Sequence, residues 1–107
     1  MEVENVLKEL DLSDTGTEIY LELLRNGETT ASGVAKRSDV ERRRAYDVMN
    51  SLKEKGLVSY RDEENRRVYN AVSPKRLEDM IEDRRRDLEE LEGMLDDAMP
   101  QLMKQFN

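Results

Sequence analysis

The sequence contains no cysteine and no histidine, and these two absences remove several classes of protein at once. Without cysteine there is no disulfide and no thiolate nucleophile, and without histidine the commonest general base is missing. The usual ligands of tetrahedral zinc sites are absent for the same reason. We therefore expect a protein that is not an enzyme and that binds no metal or other cofactor.

Long apolar stretches are also missing. No run of about 18 apolar residues is present to cross a membrane, and the N-terminal residues 1–5 lack the basic and apolar regions of a signal peptide. Only 5% of the residues are aromatic, so the 107-residue chain has material for one small core. These features predict a cytoplasmic protein that does not associate with membranes.

Charge is abundant, and its distribution along the chain is uneven. Charged residues make up 40% of the sequence and the net charge is −7, which taken alone disfavours nucleic acid as a partner. Residues 25–67, however, carry eleven Lys and Arg against eight Asp and Glu, and five of these cations fall between Lys36 and Arg44. Twelve of the eighteen cations are Arg, whose planar guanidinium forms paired hydrogen bonds with phosphate or guanine. The pattern indicates a local cationic face on an acidic chain.

The first third of the chain predicts two helices. Apolar residues recur at helical spacing after two start signals, Ser13 as a plausible N-cap and Thr15 followed by Glu18 at capping-box spacing. Asn26-Gly27 supplies a stop signal, so a helix is predicted from this start to Asn26. A shorter helix from Val3 to Leu10 precedes it. We expect its apolar residues Val6, Leu7 and Leu10 to pack on the same core.

The middle of the chain predicts a helix-turn-helix. Thr29 and Thr30 precede a short helix from Ala31 to Ser38, and a longer helix follows from Glu41 to Lys55, with Gly56 as its stop. Two helices joined by about three turn residues form this motif.

After Gly56 the apolar period changes from 3.6 to 2, which predicts a β-hairpin with strands at 57–61 and 66–72 and a four-residue polar tip at 62–65. An order of helices followed by a hairpin is typical of a winged helix domain. The fold class predicted is therefore mainly α with a small β-hairpin, with a winged helix-turn-helix over residues 1–72 and a long C-terminal helix over 73–107.

The C-terminal helix carries a heptad pattern. Ser73-Pro74 is a typical helix start, and the apolar positions then alternate in steps of four and three. We expect these positions to pair two copies of the chain, and we expect Pro100 to end or kink the helix. Arg84 falls on the seam, where it can fix the register by meeting Asp83 or Asp87 of a partner. The predicted dimerisation residues are Leu77, Ile81, Arg84, Leu88, Leu91 and Leu95, with Ala98 and Leu102 continuing the pattern.

Several polar residues are candidates for contact with DNA. At 100° per residue the helix at 41–55 presents Arg43, Asp47 and Asn50 opposite its apolar face, and Arg and Asn are the residues that recognise guanine and adenine in the major groove. Hydroxyls at the start of the preceding helix and arginines of the hairpin can hold phosphates. The candidates are Thr30, Ser32, Arg42, Arg43, Arg44, Tyr46, Asp47, Asn50, Arg61, Arg66 and Arg67.

Alternative interpretations stay open for these features. The run Arg42–Arg44 can be a solvated helix face, and the acidic hairpin tip at 62–64 can repel DNA rather than bind it. The same three acidic residues lack the spacing and the glycine of a calcium loop, so a metal site is the weaker interpretation.

The order of elements and several short segments resemble the TrmB family of archaeal transcriptional regulators. The resemblance covers roughly residues 5–90 and is most specific from Tyr46 to Val58. It implies a winged helix domain that binds operator DNA as a dimer, followed by a helix that pairs the protomers. Larger members continue into a sugar-binding domain that these 107 residues do not include, so a sugar effector is not implied. The matching segments are Leu12-Ser13, Ile19-Tyr20-Leu21, Thr30-Ala31, Val34-Ala35, Arg42, Ala45 to Val48 and Leu52 to Val58.

The sequence is therefore compatible with two functions. The leading hypothesis is a homodimer that regulates transcription by placing the helix at 41–55 of each copy in the major groove of double-stranded DNA, about one helical turn apart. The alternative is a winged-helix module that binds a protein of the transcription machinery.

Overall fold

The computed structural model describes residues 2–107 and consists of five helices and one two-stranded sheet. The chain divides into two compact units, Met1–Leu77 and Glu78–Asn107. The elements are, in chain order, α1 (Glu2–Glu9), α2 (Asp14–Asn26), α3 (Ala31–Ser38), α4 (Arg42–Glu54), β1 (Val58–Glu63), β2 (Arg66–Ala71) and α5 (Arg76–Phe106).

Side-chain caps fix the starts of α2 and α3. The Ser13 hydroxyl accepts a hydrogen bond from the Gly16 N–H at 2.9 Å, and the Thr30 hydroxyl accepts one from the Gly33 N–H at 3.1 Å. Each bond satisfies one of the N–H groups that the first helical turn leaves without a partner. The caps predicted at Ser13 and Thr30 are therefore confirmed.

The core of the first unit lies where α2, α3 and α4 meet the sheet. Its largest fully buried side chains include Tyr20 and Ile19 of α2, Met49 and Leu52 of α4, and Tyr69 of β2. Leu7 of α1 and Leu10, which directly follows this helix, are buried as predicted, but Val6 is 51% exposed, so its predicted place in this core is wrong. The reason is geometric, because a helix of only eight residues turns one narrow side toward its neighbour.

The hairpin pairs β1 with β2 in antiparallel register, with Tyr60 opposite Tyr69 and Glu63 opposite Arg66. Glu64 and Asn65 form the turn, and both have positive φ, 48° and 47°. This is the two-residue turn whose twist matches that of the flanking strands. The predicted four-residue tip at 62–65 was therefore too long, because Asp62 and Glu63 belong to β1.

The segment before α3 ties the hairpin to the helices. The N–H and C=O of Thr29 exchange hydrogen bonds with the C=O and N–H of Tyr69 at 3.0 and 2.7 Å. This short antiparallel bridge places the start of α3 directly beside β2. The Tyr20 hydroxyl adds a bond to the Val72 carbonyl at 3.3 Å, so α2 is attached to the end of the hairpin.

The last helix, α5, is 31 residues long and has no buried residue. It begins at Arg76 rather than at Pro74, because Ser73 and Pro74 form a turn whose carbonyls accept from the Arg76 and Leu77 N–H groups. Of the two outcomes expected at Pro100, an end or a kink, the end is wrong, since the helix runs through this residue to Phe106. In the heptad pattern Pro100 falls away from the seam positions, and a proline inside a helix removes its own N–H bond and crowds the carbonyl four residues earlier. No helix within residues 2–107 is both long and apolar enough to cross a membrane.

Candidate nucleic-acid interface

Three elements of the first unit border one open groove. The N-terminal turn of α3, the N-terminal half of α4 and the strand β2 with its turn enclose about 600 Å³. Proximity of these elements follows from the Thr29–Tyr69 bridge, which holds α3 against β2. The residues that line the groove are Thr30, Ala31, Ser32, Glu41, Arg42, Arg43, Tyr46, Asn65, Arg66, Arg67 and Tyr69.

The helix α4 turns its polar face outward. Ala45, Met49 and Leu52 are buried, which fixes the rotation of the helix about its axis. Arg43 and Asp47 are consequently exposed and Asn50 is partly exposed, the arrangement that the sequence predicted. Tyr46, beside them, is 43% exposed and lines the groove.

Two arginines at the start of α4 have no partner among residues 2–107. Arg42 and Arg43 are exposed and line the groove, and neither forms an ion pair or a side-chain hydrogen bond within the described residues. Glu41, at the N-cap position, makes no side-chain bond to the helix. The first N–H groups of α4 therefore lack a side-chain acceptor, and a helix N-terminus with unpaired N–H groups attracts anions.

Arg44 is oriented differently from its two neighbours. Its guanidinium donates to the Thr15 hydroxyl of α2 at 3.1 Å, and it lines a second depression of about 400 Å³ with Asp47 and Ser51. Within the run of three arginines, Arg42 and Arg43 line the groove, Arg43 also borders the second depression, and Arg44 is directed to α2.

The wing arginine Arg61 is held by two carboxylates. Its guanidinium makes two bonds to Glu28, at 2.6 and 2.8 Å, and further contacts to Glu63 at 2.8 and 3.0 Å. The hydrogen bond to Glu28, followed by that to Glu63, raises the pKa of Arg61, and the same bond from Arg61 lowers the pKa of Glu28. This cluster carries a net negative charge, so Arg61 adds no positive charge to the wing.

Of the other two wing arginines, Arg67 is bonded within the chain and Arg66 is not. The Arg67 guanidinium lies 3.9 Å from the centre of the Tyr60 ring and donates to Asp62 at 3.3 Å. That bond to Asp62 is the main reason that the pKa of Arg67 is raised. Arg66 is exposed, borders the groove and has no ion pair within the part of the chain that the structure describes.

The structure therefore brings most of the candidates to one place. The candidates that line the groove are Thr30, Ser32, Arg42, Arg43, Tyr46, Arg66 and Arg67. Arg43, Arg44 and Asp47 line the second depression, whereas Asn50 and Arg61 line neither.

Four further residues line the groove that were not among the predicted candidates, namely Ala31, Glu41, Asn65 and Tyr69. The sequence could have indicated Asn65, since Asn is, after Gly, the residue that most readily takes the left-handed conformation of a two-residue hairpin turn. Tyr69 carried no such signal, because its place in the groove depends on the long-range bridge to Thr29.

Comparison with known proteins gives a consistent family and fold. Residues 7–75 match the family model described as sugar-specific transcriptional regulator TrmB. No curated protein matches significantly.

Among solved structures, the archaeal chromatin protein TrmBL2, described as showing a novel mode of DNA binding, is similar with 26% identity and a TM-score of 0.87. The alignment covers 97% of this chain but only 40% of TrmBL2. A homodimeric winged helix-turn-helix DNA-binding domain from Mycobacterium bovis is similar in fold, with 20% identity and a TM-score of 0.57 over 83% of this chain and 82% of that one.

The Zalpha domain of Carassius auratus PKZ, solved in complex with Z-DNA, shares the fold over 54% of this chain and 92% of that one, with 19% identity and a TM-score of 0.51. These likenesses establish the winged helix fold and the long C-terminal helix that the sequence predicted. Because the family model matches more than half of the residues, the chain belongs to the TrmB family of transcriptional regulators.

Proposed function

We propose that the chain is a cytoplasmic, DNA-binding transcriptional regulator that binds duplex DNA as a homodimer through the groove between α3, α4 and the wing. The observation that carries the proposal is the convergence of Arg42, Arg43 and Arg66, each without an ion-pair partner in residues 2–107, at one open groove. Membership of the TrmB family supports the same function.

The backbone of DNA fits the margins of this groove. Arg42 of α4 and Arg66 of the wing both line it, and so do residues at the starts of α3 and α4, where the first helical N–H groups lie. Guanidinium groups and helix N-termini are common phosphate ligands. Thr30 already accepts the Gly33 N–H, so its hydroxyl hydrogen remains to be donated to a phosphate oxygen. Ser32 offers a second hydroxyl.

Sequence readout is assigned to the exposed face of α4. Arg43 and Asn50 have the side chains that form paired hydrogen bonds with guanine and adenine in the major groove, and Asp47 is placed to accept from cytosine. Arg44 and Arg61 have other roles in this proposal. Their bonds to Thr15 and to Glu28 position α4 and the wing.

A salt titration of duplex binding tests the proposal. Binding to a labelled duplex is followed by fluorescence anisotropy between about 50 and 200 mM salt, where each phosphate contact contributes a slope of about −0.9 in log K against log salt. Arg43→Ala should weaken binding, and the matched variant Arg25→Ala, which removes the same charge outside the groove, should not. Equal affinities for both variants would contradict the proposed groove.

Dimerisation is assigned to α5. Its heptad positions Ile81, Leu88, Leu91, Leu95 and Leu102 are all exposed, by 47 to 67%, in the single chain. Such an apolar stripe gains stability by packing on a second helix, at about 25 cal/mol for each Å² buried.

Sedimentation of Leu88→Asp tests the dimer, since a charge in the seam should yield monomers. Met103→Asp makes a comparable change outside the seam of the same helix and should leave the dimer intact. A dimer that survives Leu88→Asp would place the interface elsewhere.

A further inference from the structure

The heptad seam of α5 is flanked by charges whose order along the helix selects one mutual orientation. In the heptad notation a to g, Ile81, Leu88, Leu95 and Leu102 occupy a, while Leu77, Arg84, Leu91 and Ala98 occupy d. The e and g positions beside the seam include Arg85 and Glu92 at e and Asp87 at g. In a coiled coil these flanking residues meet across the interface and determine partner and orientation.

A parallel pair of α5 helices brings like charges together. In parallel coiled coils a g residue faces the e residue of the partner's next heptad, so Asp87 would face the partner's Glu92, and the contact would occur twice by symmetry. Arg84 would lie beside the partner's Arg84 at a d layer. Each of these contacts is repulsive, and the one in the seam is shielded from solvent.

We propose that the occupant of the α5 seam is a second copy of this chain in antiparallel orientation, with Leu88 packed against the partner's Leu91. This inference rests on the dimer of the proposed function and adds its orientation and register. In antiparallel coiled coils a layers pack on d layers and e residues face e residues. Arg85 then faces the partner's Glu92, and symmetry forms this attractive pair twice.

The same register matches the whole length of the seam. Ile81 packs on the partner's Ala98, Leu77 on the partner's Leu102, and Arg84 on the partner's Leu95. Every a and d residue from Leu77 to Leu102 therefore packs against a d or a residue of the partner. The two Arg84 guanidinium groups are separated from each other in this register.

Slipping the antiparallel pair by one heptad in either direction is unfavourable. In one direction the two Glu92 side chains face each other. In the other the two Arg85 side chains face each other, and so do the two Asp87 side chains. Neither Arg85 nor Glu92 has an ion-pair partner within the described residues of its own chain, so both are available across the interface. Arg86, on the outer side of the helix, is instead paired with Asp83 of its own chain.

Reversing the charge at position 92 should change the dimer affinity in opposite directions in the two orientations. Glu92→Arg places two arginines opposite each other in the antiparallel pair and should weaken the dimer about tenfold. In a parallel pair the same change replaces two repulsive contacts to Asp87 by attractive ones and would tighten the dimer. Adding Arg85→Glu to Glu92→Arg should restore wild-type dimer affinity only in the antiparallel form.

Disulfide trapping provides the direct test, because the natural chain has no cysteine to interfere. In the proposed register the two copies of Ile81 lie about 26 Å apart along the pair, well beyond the Cα separation of about 7 Å that a disulfide tolerates. Ile81→Cys alone and Ala98→Cys alone should therefore stay uncrosslinked on mild oxidation, whereas the double variant should form a covalent dimer. Cross-linking of either single variant would establish the parallel form and overturn the proposal.

The sedimentation mass of the wild-type chain and of each variant, measured before oxidation, shows whether dimerisation itself or only the proposed orientation is wrong. Monomers of the wild-type chain would refute the dimer itself. A wild-type dimer whose double variant does not cross-link would leave the proposed function standing and would refute this orientation and register.

Discussion

The wing offers a prediction in which two neighbouring arginines of the hairpin behave oppositely. Arg66 is exposed at the groove without an ion-pair partner in residues 2–107, whereas Arg61 is bonded to Glu28 and to Glu63 within 3.0 Å. Arg66→Ala should remove one phosphate contact from each protomer. Arg61→Ala removes a cation that is already neutralised, so it should leave the number of phosphate contacts unchanged.

The magnitude follows from counterion release. One phosphate contact has a slope of about 0.9 in log K against log salt, which corresponds to about a 3.5-fold loss of affinity when salt rises from 50 to 200 mM. A dimer has two such contacts, so the wild type should lose about 12-fold more affinity over this range than Arg66→Ala. The slope of Arg61→Ala should match that of the wild type.

Anisotropy titrations of one duplex at four or five salt concentrations measure these slopes. Thermal unfolding of each variant serves as the control that the wing remains folded, because the Glu28 bonds also attach the wing to the segment before α3. Equal slopes for Arg66→Ala and the wild type would refute the assignment of Arg66 to phosphate. A reduced slope for Arg61→Ala would show that its carboxylate partners release it to DNA.

Three further predictions concern stability. Thr30→Ala removes the cap of α3 and should lower the free energy of unfolding, measured by urea titration, by about 1 kcal/mol. Thr30→Ser keeps a capping hydroxyl and should retain most of this stability. Gly56→Ala should cost about 1–2 kcal/mol, since the residue has a φ of +79°, whereas Gly93→Ala in the exposed part of α5 should raise helix stability. The Arg61 bond lowers the pKa of Glu28 below 4.5 in the folded state, so the pair stabilises the fold above about pH 4.5 and this contribution is lost as the pH falls through the lowered pKa. Melting temperatures of Glu28→Gln and the wild type should therefore differ at neutral pH and converge in acid.

Local signals in the sequence were sufficient for much of the fold. Ser13 and Thr30 were recognisable as caps because the capping residue and the N–H that it bonds lie three positions apart. The rotation of α4, and with it the exposure of Arg43, followed from the spacing of the buried residues alone. The sequence predicted a C-terminal helix over 73–107 with an end or a kink at Pro100, because a proline is on average a strong stop signal, whereas α5 continues through this residue to Phe106.

The candidate site was less accessible to sequence reasoning. Arg42, Arg43, Arg44 and Arg61 have the same side chain, yet two of them are unpaired and two are bonded within the chain. The acceptors that decide this, Thr15 and Glu28, lie 29 and 33 positions away from the arginines that they bind. No local pattern reports such pairs, so the sequence identified the cations but not which of them are available.

Selection of bound duplexes from a random-sequence pool tests the central claim most directly. If the chain is a dimeric regulator that recognises bases through α4, the selected DNA should share a motif made of two related half-sites, and Arg43→Ala should relax the preference within each half-site. Recovery of no enriched motif, or a motif unchanged by Arg43→Ala, would contradict the account.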